Sequence, residues 1–110
     1  MSSGPTRRAK IEAMLADEPH DPFLRYSLAL ELEKEGDAEA SLKLLRDLTT
    51  DDPPHVPAFF MAAQGLARRD EISAARTFLR DGIEQARRQG DSHAAGEMSE
   101  FLQSLGELGE

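Results

Sequence analysis

The chain has 110 residues, of which 39% are hydrophobic, enough for one compact domain built as a thin stack of helices that each bury one stripe. It contains no cysteine, so disulfides and thiolate metal sites are excluded. The formal net charge of -8 repels phosphate backbones and argues against nucleic acid as a partner.

Residues 1–5 read as a flexible start with no apolar leader, and no apolar run is long enough for a membrane span. The expectation is a cytoplasmic protein with no membrane role. A leading helix is predicted over 6–18, with Ile11, Met14 and Leu15 at helical spacing. Pro19 and Pro22 close it, and Asp21 is placed to cap the next helix with Pro22 at its first position. That second helix runs to about Glu35, with Leu24, Leu28, Ala29 and Leu32 on one face. Gly36 ends it and Asp37 caps a third, which carries Leu42, Leu44, Leu45 and Leu48 and stops at Asp51, Asp52, Pro53 and Pro54.

The fourth helix spans Pro57 to Arg68, with Phe59, Phe60, Ala62, Ala63 and Leu66. Asp70 is a short polar break. The fifth helix, from Glu71 to about Gln89, presents Ile72, Ala75, Phe78, Leu79, Ile83 and Ala86. Gly90 ends it and Asp91 caps the sixth, whose stripe is Ala94, Ala95, Met98, Phe101, Leu102 and Leu105. Residues 107–110 read as a frayed tail. No segment alternates with period two, so no strand is predicted. Helices joined by turns this short pack as antiparallel neighbours.

A step of 34 residues carries Pro19 onto Pro53, Ala29 onto Ala63, Leu32 onto Leu66 and Ala40 onto Ala74. The same step carries Leu45, Arg46 and Asp47 onto Leu79, Arg80 and Asp81, and Gly36 onto the break at Asp70. In length and pattern this helix-turn-helix unit resembles the tetratricopeptide repeat (TPR), W-x2-L-G-x2-Y, then A-x3-F, then P. In the first unit Leu28, Ala29, Leu32, Ser41, Leu45 and Pro53 match, while Arg25 occupies the tryptophan place. In the second, Phe59 takes that place, and Ala62, Ala63, Leu66, Ala75 and Leu79 follow in register. The closing proline is replaced by Arg87, so the fifth helix is expected to outrun the third. The small residues Ala29, Ala63, Ala75 and Ser41 let helix backbones approach closely.

The resemblance implies an all-α, TPR-type α-solenoid of about six antiparallel helices. A single domain over 6–106 would hold a leading helix 6–18, repeats at 22–53 and 56–89, and a capping helix 91–105. It looks like the short, stand-alone TPR proteins of bacteria.

Catalytic and metal constellations are absent from the sequence. His20, His55 and His93 have no partner at ligand spacing and read as solvated turn residues. Glu31, Glu33 and Glu35 read as a solvated helix face. No cofactor, metal or enzymatic activity is expected.

The first helix of each TPR unit lines the concave face in this family. With Leu24, Leu28 and Leu32 as the core stripe, Phe23, Tyr26 and Leu30 form a second row, with Ser27 beside them. Phe60, Met61, Gln64 and Arg68 correspond on the fourth helix. A helix with two apolar rows is either buried on both sides or offers a binding patch. Phe23 is assigned partly to core at the linker. Chaperone-binding TPR domains clamp a C-terminal carboxylate with lysines and asparagines; here Tyr26, Leu30 and Met61 occupy those places. The function expected is therefore a module that binds an apolar or amphipathic segment of another protein. The alternative is assembly with a second copy into a homodimer, and a metal protein or enzyme is a distant third.

Overall fold

The computed structural model describes residues 6–109, which contain six helices and no strand. These are α1 (Arg7–Asp17), α2 (Pro22–Lys34), α3 (Ala38–Thr49), α4 (Val56–Arg68), α5 (Ile72–Arg88) and α6 (Ser92–Gly109). The expected flexible start at 1–5 lies outside the described residues. Consecutive helices pack together in chain order, and α4 also touches α6. The result is an elongated slab of 48 × 29 × 19 Å. Its thinnest dimension is about two helix diameters.

The helix boundaries follow local chemistry. Thr6 caps α1 by accepting the Ala9 amide, and Asp21 caps α2 by accepting the amides of Phe23 and Leu24. Three junctions repeat one turn. At the end of α2 the amide of Gly36 donates to the Glu33 carbonyl and that of Asp37 to the Leu32 carbonyl. Asp70 and Glu71 do the same to Ala67 and Leu66, and Gly90 and Asp91 to Arg87 and Ala86. This is the Schellman closure, which needs a left-handed residue; Gly36, Asp70 and Gly90 all have positive φ. The next residue then starts a helix. Asp37 and Asp91 accept the amides of Ala40 and Ala94, whereas Glu71 makes no side-chain cap.

Helix α5 has 17 residues against 12 for α3, as the missing proline at Arg87 predicts. Helix α6 runs to Gly109, beyond the 91–105 expected of the capping helix. Leu105 is buried, and Arg76 of α5 donates to its carbonyl at 3.1 Å.

One core cluster runs from Ala29 of α2 to Leu105 of α6, and Ile11 of α1 is buried outside it. Leu48, Leu66, Leu79, Met98 and Leu105 are fully buried, each stabilising by about 1.5–3 kcal/mol. Ala29, Ala63 and Ala75 have no exposed surface, which lets α2 approach α3 and α4 approach α5. Ser41 does the same at the first of these contacts, and its hydroxyl donates to the Ala29 carbonyl at 2.7 Å. The stripe expected on α2 is shifted: Ala29 and Leu32 are buried, while Leu24 and Leu28 are half-buried. Glu31 corrects the solvated reading of that face. It is buried between Arg7 at 3.2 Å and Lys34 at 3.4 Å.

Arg25 replaces a large apolar residue in the repeat pattern, and it has its own partner. Its guanidinium donates to both Asp51 oxygens, at 2.7 and 3.2 Å, tying α2 to the α3–α4 linker. The tightest contact lies at Gly82 on α5. A Cβ there would stand 2.5 Å from the Phe59 Cβ and 2.6 Å from the Met98 sulfur. Gly82→Ala would gain about 1 kcal/mol of helix propensity, yet it should lower stability by a net of about 1–3 kcal/mol because α4 and α6 must move apart. Denaturant unfolding of the two proteins measures this; an unchanged or higher midpoint contradicts it.

Candidate functional site

Helices α2, α4 and α6 contribute successive walls of one groove of about 310 Å³. Tyr26 stands on α2; Val56, Pro57, Phe60, Met61 and Gln64 on α4; Ala94, Glu97 and Met98 on α6. Phe60 is steadied by Phe101 behind it, with ring centroids 5.7 Å apart. Tyr26 is half-buried, and that burial pushes its phenol above the ordinary tyrosine value. The ionisable groups of the groove are Asp91, Glu97 and His93, with His93 Nε2 3.6 Å from Glu97.

A second cavity of about 600 Å³ opens beside the first, at the end of the slab where the linkers meet. Phe23, His55, the Arg25–Asp51 pair and Pro53 and Pro54 line it, and Gln89 closes one side by donating to the Pro54 carbonyl at 2.9 Å. Val56, Pro57 and Asp91 line both cavities. His55 stands between them. Its ring meets Phe23 edge-on at 5.4 Å and Tyr26 at 5.3 Å. His55 is thus a correction to the solvated turn reading: it is half-buried, and its Nε2 is buried with no hydrogen-bond partner. His20 and His93 are exposed.

The structure gathers Tyr26, Phe60, Met61 and Gln64 in one groove. Phe23 lines the second cavity instead and is 72% exposed, which overturns its partial assignment to the core. Its neighbour is an imidazole in the linker, and no helix covers its outer side. Ser27 and Leu30 are half-buried and line neither cavity. Arg68 reaches across to Glu33 of α2 at 3.4 Å and so braces the two helices. Sequence reasoning missed the α6 wall. The signal was present: one more 34-residue step carries Tyr26 and Phe60 onto Ala94, and Gln64 onto Met98. Helix α6 therefore stands where the first helix of a third unit would, as well as covering the core.

The solution structure of a tetratricopeptide repeat domain protein from Salinibacter ruber superposes with a TM-score of 0.75 at 31% identity, over 79% of this chain and 88% of that one. The chain belongs to the tetratricopeptide repeat family. A TPR repeat-containing protein of Pseudomonas aeruginosa is 27% identical over 95 residues, covering 86% of this chain and 90% of that protein. The solution structure of a protein from Bordetella parapertussis matches with a TM-score of 0.78 at 25% identity, over 94% of this chain and 90% of that one. No family model matches the chain. As a TPR protein it is a protein–protein interaction module, of a fold typical of non-enzymatic modules. Among the described residues no cluster of three or more histidines and carboxylates could hold a metal, and no helix is long and apolar enough to cross a membrane.

In this TPR domain His55 carries a pH signature. Burial holds its imidazole below the ordinary histidine value; Asp51 opposes this and Arg25 adds to it. The unfolded chain binds the proton near pH about 6.5 and the folded chain only at lower pH. Stability should therefore fall as pH drops from that value, and the loss should level off once the folded-state value is passed. His55→Gln should remove this component. Denaturant midpoints of both proteins across the pH range give the difference, in which the shared carboxylate contribution cancels; parallel curves contradict the assignment.

Proposed function

We propose that the groove between α2, α4 and α6 binds an apolar or amphipathic segment of another protein. The observation that carries this is the convergence of Tyr26, Phe60 and Met61 from two helices on one open cavity whose far wall is Ala94 and Glu97 of α6. Aromatic rings supply large contact area at low entropic cost, and methionine side chains adapt to varied apolar shapes. Gln64 sits beside them to satisfy a polar group on the ligand. This combination suits helix-in-groove or extended apolar recognition and lacks the cationic clamp that a terminal carboxylate needs.

A second copy of the chain is the alternative occupant. Phe23, at 72% exposure, favours it, since a large exposed ring often marks an association surface. A net charge of -8 on each copy opposes it.

The double variant Tyr26→Ala, Phe60→Ala should keep the far-UV signature of a helical protein while partner capture falls at least tenfold, as expected when two central anchors are removed. Met14→Ala, on the exposed side of α1, should capture normally. Affinity capture with quantitative identification of the bound proteins reads all three. Equal capture by the wild type and the double variant sinks the reading.

A further inference from the structure

We propose that the partner segment is basic as well as apolar, and that it lies along a single trough joining the groove to the cavity at Phe23. The inference rests on the groove reading above and adds the chemistry of the ligand and the length of its track. Val56, Pro57 and Asp91 line both cavities, so the two adjoin at these residues. A segment seated against Phe60 and Met61 can continue past Asp91 onto Phe23.

The charge along this track is one-sided. Arg25 is its one arginine, and both oxygens of Asp51 already occupy it. No lysine lines either cavity. The acids left over are Asp52, Asp91 and Glu97, all exposed. Of the three histidines, burial holds His55 below the ordinary histidine value, while His20 and His93 stand in solvent, His93 beside Glu97. The start of α6 offsets part of the Asp91 charge, because the Asp91 carboxylate accepts the Ala94 amide at the positive end of that helix. Glu97 faces His93 Nε2 at 3.6 Å, and Asp52 has no such neighbour among the cavity residues.

The remaining field is negative, and the net charge of -8 extends it beyond the trough. Lysine or arginine residues flanking apolar anchors would meet it favourably. A second copy of this chain, acidic itself, would not.

Exposed rim charges act mainly through association rate and salt dependence. Three of them together should change affinity about tenfold.

The test is selection of a phage-displayed random peptide library on the full chain, followed by sorting clones for loss of binding to the Tyr26→Ala, Phe60→Ala variant. Groove-dependent clones should be enriched in Lys and Arg beside apolar residues. A synthetic peptide from that set should bind Asp52→Asn, Asp91→Asn, Glu97→Gln about tenfold more weakly and lose affinity as salt rises. It should also bind Phe23→Ser more weakly.

Groove-dependent clones that are neutral or acidic overturn the charge inference and leave the groove reading intact. Full-strength binding to Phe23→Ser overturns the joined trough. An absence of groove-dependent clones overturns the groove reading and this inference together. Circular dichroism on each variant establishes that it is folded, and Tyr26→Ala alone replaces the double variant if Phe60→Ala is not.

Discussion

Gly82 has no side chain at the point where α5 passes between Phe59 of α4 and Met98 of α6, and an added carbon would stand within 2.6 Å of both. This close approach seats α6 against α5 and α4 together. With α6 seated there, Ala94, Glu97 and Met98 form the far wall of the groove. A bulkier residue at position 82 would lift that wall away from Phe60. Glycine in a helix interior costs about 1 kcal/mol relative to alanine, and close packing is what it makes possible here. The fully buried alanines at 29, 63 and 75 act in the same way at the earlier helix contacts.

The fold was legible because its punctuation is local. Prolines after α1 and α3, and the residues Gly36, Asp70 and Gly90, stop helices through backbone geometry that any neighbour must obey. The 34-residue step linked those stops into repeats. Helix interiors were less legible. Gly82 carries no hydrophobic signal, so a search for apolar periodicity passes over it. Leu24 and Leu28 are as apolar as Leu32, but at the α1 end of the stack there is less protein to bury them.

The site was legible where it depends on one helix face and obscure where it depends on how helices meet. Tyr26, Phe60, Met61 and Gln64 followed from the off-stripe helix faces together with the resemblance to TPR proteins, whose first helices line the concave face. Phe23 did not, because its environment is set by a linker histidine and not by helical spacing. His55 looked like a turn residue for the same reason: only the folded linker brings it against Phe23 and Tyr26. The departure at Arg25 became intelligible through Asp51, which lies 26 residues away in sequence. That pairing also occupies the one arginine that lines the two cavities.

Gly82 seats α6, α6 completes the groove, and the groove is the surface we propose for meeting a partner. The most direct measurement is amide chemical-shift mapping of the isotope-labelled chain on addition of a bound apolar, basic peptide. The largest changes should fall on Tyr26, Phe60, Met61, Gln64, Ala94 and Glu97, with the outer residues of α3 and α5 unmoved. Changes concentrated on α3 and α5, with the groove residues unmoved, would contradict it.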